Sequence, residues 1–203
     1  RTGGPVGGWR MSFDLLIVGV GGQGTILASN ILGRATLEEG RSVRGAETHG
    51  MAQRGGSVEC HLRIDGRYGP LVDPGTADLL IAFDLLEAVR YLHFLRPGGR
   101  VVTSTGIITP TTVFSQRLPM PTSDECLARL APFRPLAIDT AALAREAGSE
   151  LAQNVVLIGA SSHHLPLRES SLLAAIERSV PPKTVEVNRR AFALGRAAGA
   201  PSP

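Results

Sequence analysis

Cysteine is scarce in this chain: Cys60 and Cys126 are the only two in 203 residues, and they stand far apart with no CxxC spacing. That spacing excludes a disulfide framework and a zinc knuckle, and two thiols are too few to ligate an iron–sulfur cluster with four thiolates. Two reduced, half-buried thiols are expected. Aromatic residues make up 4% of the chain and the net charge is +3, with arginines spread along the sequence. Nucleic-acid binding, which needs a dense basic stripe and stacking aromatics, is therefore not expected. Also missing are a G-x-x-x-x-G-K-[ST] phosphate loop, a G-x-S-x-G nucleophile elbow and an H-E-x-x-H zinc helix, so no metal site is expected. No apolar run approaches the ~18 residues that a membrane span requires, and the opening "RTGGPVGGWR" lacks the apolar core of a signal peptide. A cytoplasmic protein is expected.

With 43% hydrophobic and 19% charged residues, the composition is that of an ordinary globular chain. The length suits one domain, expected over residues 13–199, between a flexible leader (1–12) and a short tail (200–203). "DLLIVGV" (14–20) is a continuous apolar run that meets glycines at once, as does a strand buried on both faces of a parallel sheet. A helix follows, stopped by Gly40, and then a short strand in "RSVRGAE". In "SVECHLRID", Val58, Cys60, Leu62 and Ile64 alternate with polar residues, predicting a strand with one wetter face that turns back at Asp65-Gly66 into "RYGP". "ADLLIAF" is a further buried strand, and Asp84 caps a helix with Leu85, Val89 and Leu92 on one face, closed by "RPGG" before the strand "RVVTST". His93 is expected to be partly buried on that helix. Thr122 and Glu125 have capping-box spacing, "PLAID" is a short strand, and Asp139 caps a helix ended by Gly148. The last third reads as helices parted by prolines. The expected fold is three-layer α/β/α, Rossmann-like, with a mostly parallel but mixed sheet and a helical C-terminal portion.

Two stretches carry chemistry. Gly19, Gly21 and Gly24 form G-x-G-x-x-G between the first strand and first helix, where the backbone can turn sharply and an anion can approach the helix N-terminus. Gly22 and Gln23 lie inside this turn, and the Gln23 amide can both donate and accept at its mouth. Glu47 follows Gly24 at about the spacing of a ribose-binding carboxylate, which makes a free-standing NAD- or NADP-binding oxidoreductase an alternative reading. The second stretch is "HGMAQRGGS" (49–57), a polar loop ending in Gly55-Gly56 and expected to emerge at the C-terminal edge of the sheet. With Glu47 it brings together His49, Gln53 and Arg54. Arg54 can clamp a phosphate or carboxylate, and His49 is the one candidate acid or base. A methyltransferase reading of "LLEAVRYLHFLRPGGRVV" leaves this loop unexplained.

Taken together, "DLLIVGVGGQGTILASNIL", "ETHGMAQRGGSVECHLRI", "ADLLIAFDLLEAVRYLHFLRPGGRVV", "NVVLIGA" and "PPKTVEVNRRAFALG" resemble the gamma-type domain of the 2-oxoacid:ferredoxin oxidoreductases, and within them the beta subunits of indolepyruvate:ferredoxin oxidoreductases, from Phe13 to about Gly199. The resemblance implies a partner subunit of a larger enzyme. That enzyme oxidatively decarboxylates arylpyruvates with coenzyme A and oxidised ferredoxin, giving aryl-acetyl-CoA, CO2 and reduced ferredoxin. It also implies that thiamine diphosphate and iron–sulfur clusters belong to the alpha subunit. Carried onto this sequence, the family motifs fall on Gly19, Gly21, Gly22, Gln23 and Gly24, and on Glu47, His49, Gly50, Met51, Gln53, Arg54, Gly55 and Gly56. Their implied role is to face the alpha subunit's thiamine site and the coenzyme A path. Thr48 and the "SSHH" pair (161–164) depart from the family pattern.

Overall fold

In a computed structural model, the chain is described at residues 12–49, 56–67, 69–110, 113 and 119–201. Most of the expected leader, the last two residues of the tail and the loop residues Gln53, Arg54 and Gly55 lie outside the described residues. Among the described residues six strands form one sheet: β1 (Phe13–Val20), β2 (Val43–His49), β3 (Ser57–Ile64), β4 (Ala77–Ala82), β5 (Leu95–Ser104) and β6 (Leu136–Ile138). Their spatial order is β2-β3-β1-β4-β5-β6. β3 runs antiparallel to both β1 and β2, whereas β1, β4, β5 and β6 pair in parallel. Only β3 is reversed, so the sheet is mixed as the sequence predicts.

β1 and β4 are apolar on both faces because both faces are covered. Leu15 and Ile17 enter one core with α1 (Thr25–Glu38), α4 (Thr140–Ala147), α5 (Gln153–Ser161), α6 (Glu169–Ser179) and α7 (Val185–Ala198). Leu16 and Val18 enter the other, with α2 (Leu85–Arg90) and α3 (Ser123–Leu130). Those are the two outer layers. Thr122 and Glu125 form the expected capping box on α3, and Asp139 accepts from the Ala142 N–H on α4. No helix among the described residues is long and apolar enough to cross a membrane.

Several expectations need correction. The face of β3 expected to be wetter is so only at its start: Ser57 and Glu59 are half-buried, whereas His61 and Arg63 are buried, because β3 lies inside the sheet. Arg63 can be buried because its guanidinium pairs with Asp14 at 3.2 Å. Asp78 accepts from the Asp14 N–H at 2.8 Å and from Arg96 at 2.6 Å, extending the paired charges across β1, β4 and β5. Nor does β3 turn back into a downstream strand at Asp65-Gly66. Asp65, at φ 54, faces upstream, taking Arg41 at 2.8 Å and the Ser42 N–H at 3.1 Å, which ties the end of β3 to the start of β2. The helix after Asp84 ends at Arg90, and a 3-10 turn over Leu92–Phe94 follows. "RPGG" lies within β5 as a bulge, where the register passes from Ala77–Leu95 to Leu79–Arg100 and Gly98 adopts φ 76. Pro97 has no N–H for the ladder, and only glycine tolerates that φ readily. His93 is exposed, its ring tilted against that of Phe94 with centroids 4.5 Å apart. Both thiols are fully buried, not half-buried.

α5 and α7 pack backbone to backbone. A Cβ on Gly195 would lie 1.9 Å from the Val156 carbonyl oxygen, and one on Gly159 would lie 2.2 Å from that of Phe192. No side-chain motion relieves a clash with a carbonyl of the neighbouring helix. Gly195→Ala should therefore destabilise the chain by about 3 kcal/mol or more in urea unfolding. Gly33→Ala, also in a helix but meeting only Leu62 Cδ2 at 4.0 Å, should stabilise it by about 0.5–1 kcal/mol. Equal effects would contradict this account of the helix contact.

Candidate functional site

The glycine turn joins β1 to α1, and each of its glycines has a different reason to be there. Gly24, the N-cap of α1, adopts φ 83, and a Cβ on it would meet Asn154 Nδ2 at 2.8 Å. Gly22 adopts φ 105 with open space around it, leaving the backbone approachable at that point. Gly19 makes room for Gln23, whose side chain folds back over it: a Cβ there would crowd Gln23 Oε1 and Thr25 Cγ2, both at 2.8 Å. Gln23 Oε1 accepts from the Val20 N–H at 2.7 Å, and its Nε2 donates to the Phe83 carbonyl at 2.9 Å. The amide expected at the mouth of the turn is thus engaged by the protein at both ends. It ties the end of β1 to the end of β4.

The second stretch meets the first through the backbone. β3 begins beside the end of β1, with Val20 opposite Ser57, and the Gly21 N–H donates to the Gly56 carbonyl at 2.9 Å. His49 ends β2 opposite Val58, and Val58 in turn lies opposite Gly19. The described ends of "HGMAQRGGS" therefore flank the glycine turn at the C-terminal edge of the sheet.

Glu47 is not brought to the turn. It lies opposite Cys60, which lies opposite Ile17, so it is two strands from β1, roughly 10 Å at the usual interstrand spacing. It faces α1: its charge acts on Cys60, which also bonds Ser29 of that helix. A dinucleotide site wants the carboxylate-bearing strand next to the glycine turn, and here β3 intervenes. The NAD or NADP reading loses its ribose contact.

Beneath the loop's end, on the α2 face, lies a polar cluster. Ser57 Oγ donates to the buried Glu87 at 2.5 Å and meets the Tyr91 hydroxyl at 3.1 Å, and Arg90 pairs with Glu87 at 2.8 Å. Thr48, the departure from the family pattern, donates its hydroxyl to Glu59. The buried His61 accepts from the Val72 N–H through Nδ1 at 3.1 Å, which places its proton on Nε2, 3.5 Å from Glu59. This cluster holds the start of β3 in place.

Sequence reasoning missed a cleft of about 340 Å³ beside the turn. Ser104 and Thr140 hydroxyls lie 2.9 Å apart in its wall, Thr140 donates to Gln153 at 3.2 Å, and Gln23 lines the opposite side. Asp84 shapes its rim, accepting from the Ile108 N–H at 2.6 Å and from the Leu86 and Glu87 N–H groups of α2. Burial outweighs these bonds and raises the Asp84 carboxyl above its ordinary pKa. Leu151, 91% exposed, stands at the mouth. The available signal was positional: these residues end or follow β4, β5 and β6, the edge where α/β sheets bind ligands. No group of three His, Cys, Asp or Glu residues among the described residues could hold a metal.

Replacing Gln23 by Leu leaves the Val20 N–H and the Phe83 carbonyl without their partner and should lower stability by about 2–3 kcal/mol in urea unfolding. A wild-type value would show that the amide does not hold the turn. Burial first, and Glu47 second, push the Cys60 thiol up to about 12, and burial raises Cys126 as well. Neither should react with a thiol reagent at pH 8 until the chain unfolds. Prompt native labelling of either would contradict their placement in the two cores.

A profile for the pyruvate ferredoxin/flavodoxin oxidoreductase family matches residues 14–198. The chain is 43% identical to indolepyruvate oxidoreductase subunit IorB of Thermococcus kodakarensis over 90% of its length and 94% of the relative's. It is 42% identical to the subunit of that name from Pyrococcus horikoshii, with the same coverage, and 30% identical to 2-oxoglutarate synthase subunit KorC of Methanothermobacter marburgensis over 92% of its length and 96% of the relative's. Among solved structures, the gamma subunit of a keto/oxoacid ferredoxin oxidoreductase from Geobacter sulfurreducens superposes with a TM-score of 0.68 at 24% identity, covering 92% of this chain and 98% of that one. Pyruvate oxidoreductase subunit PORC of Thermotoga maritima gives 0.68 at 19%, covering 93% and 97%. These two likenesses agree with the three-layer fold. The chain belongs to the pyruvate ferredoxin/flavodoxin oxidoreductase family.

Proposed function

We propose that this chain is the smaller subunit of a cytoplasmic indolepyruvate:ferredoxin oxidoreductase, which converts arylpyruvates with coenzyme A to aryl-acetyl-CoA, CO2 and reduced ferredoxin. The observation that carries the reading is the Gly21–Gly56 hydrogen bond, which joins the two motif stretches into one continuous edge. Thiamine diphosphate on an alpha partner would supply the decarboxylation, and that partner's iron–sulfur clusters would take the electrons. The cysteines here fit such a division: each is buried, in opposite cores of the sheet, where neither can face a shared cluster.

This chain's part is then to bind and orient. The Gly22 turn and the α1 N-terminus present approachable backbone, with Gly19, Gly21, Gln23 and Gly24 setting its shape. The hydroxyl- and amide-lined cleft suits an uncharged, amide-bearing chain such as the pantetheine arm of coenzyme A. Arg54 and Gln53 would meet its anionic groups, with Gly55 and Gly56 letting the loop approach closely. His49 is a contact in this reading and no catalyst, because proton transfers belong where the thiamine sits. Glu47 faces away from this edge and has no part in it.

Co-expression with an alpha partner tests the proposal. The two chains should copurify, and indolepyruvate-dependent ferredoxin reduction should require both. Arg54→Ala in that complex should raise KM for coenzyme A by about tenfold or more, the worth of a charge-assisted contact, with kcat little changed. An alpha partner fully active without this chain would overturn the proposal.

A further inference from the structure

A second open feature lies away from that edge. Between α1 and β2 runs a groove of about 900 Å³, floored by Leu62 and bordered by Leu37, which is 62% exposed. Two glycines face it, Gly33 from α1 and Gly45 from β2. Neither is required by the fold. A Cβ on Gly33 would come no nearer than 4.0 Å to a neighbour, Leu62 Cδ2, and one on Gly45 would make ordinary contacts at 3.6 Å, with no positive φ at either. A glycine inside a helix costs about 1 kcal/mol relative to alanine. What the pair does achieve is to keep the groove open beside an edge strand.

Among the described residues β2 is the last strand of the sheet, so one row of its backbone N–H and C=O groups points outward. α1 descends from the glycine turn and β2 climbs back, which sets a polarity along the groove. Arg34 and Arg178 lie at the Val43 end, where Arg178 also meets Glu38 at 3.0 Å, and Glu47 lies at the other. A two-fold axis through Gly45, normal to the sheet, would pair two β2 strands antiparallel, with Gly45 opposite Gly45 and Val43 opposite Glu47. Each copy's Glu47 then falls at the cationic end of the other's groove. We infer that this edge is the interface with a second copy of the chain, β2 joining β2 in one continuous sheet. The charges are self-complementary under that operation, as an isologous contact requires.

The 203-residue chain should sediment as a dimer at tens of micromolar. Gly45→Cys should become a disulfide-linked dimer under mild oxidation, because residues facing each other across an antiparallel pair lie ~4.5–5.5 Å apart, within disulfide reach. The native thiols, both buried, do not compete. Arg34→Glu and Glu47→Arg should each weaken association at least tenfold, and the double reversal should restore it. Gly33→Leu, which fills the groove, should give a folded monomer. A wild-type chain that is monomeric at ~100 µM with no Gly45→Cys cross-link would overturn the inference. Protection of the β2 amides from hydrogen exchange only after an alpha partner is added would overturn it too, by giving the edge to that partner.

Discussion

The reversed strand β3 is the constraint on which the site depends. A strand that left β1, crossed through α1 and returned directly beside β1 would run parallel to it and set its own C-terminal end, with Glu47, next to the glycine turn. Here β2 returns one position further out, and β3 comes back antiparallel into the gap. Its first residues therefore start where β1 ends, and the Gly21 N–H reaches the Gly56 carbonyl. The loop and the turn become neighbours through main-chain geometry alone. The same insertion moves Glu47 away from the turn, so one topological choice both builds the edge and removes the dinucleotide alternative.

Holding a strand between two neighbours has an electrostatic consequence. β3 carries Ser57, Glu59, His61 and Arg63 on its α2 face, and burying them without partners would cost several kcal/mol. The fold supplies partners from distant segments: Asp14 for Arg63, the Val72 amide for His61, Thr48 for Glu59, and Glu87 with Tyr91 for Ser57. These bonds reach β1, the segment before β4, β2 and α2. The polar face of β3 thus locks the strand's register, where a purely apolar face would tolerate slippage more readily.

Much of this was legible in the sequence. Apolar runs that meet glycines marked β1 and β4 because such strands are covered on both faces, and cap residues marked α2, α3 and α4 because their side chains replace missing helical bonds. The three-layer fold, the mixed sheet and the family followed. Periodicity reports which residues share a face but not which strand lies alongside, so the position of β3 and the burial of His61 and Arg63 were out of reach. "RPGG" looked like a stop because proline and glycine usually punctuate, yet a bulge accommodates both within β5. Ser104, Thr140 and Gln153 are ordinary polar residues gathered into the cleft only by the parallel order of β4, β5 and β6. The sequence marks Gln23 as a contact group at the mouth of the turn, whereas the structure gives both ends of its amide internal partners.

The central claim is that the glycine turn and the start of β3 act as one wall against a partner that carries the cofactor. Hydrogen–deuterium exchange, followed with and without the alpha partner and then with coenzyme A, tests it most directly. Peptides covering residues 19–24 and 56–58 should gain protection together when the partner binds. Protection of neither, or of one without the other, would contradict the account.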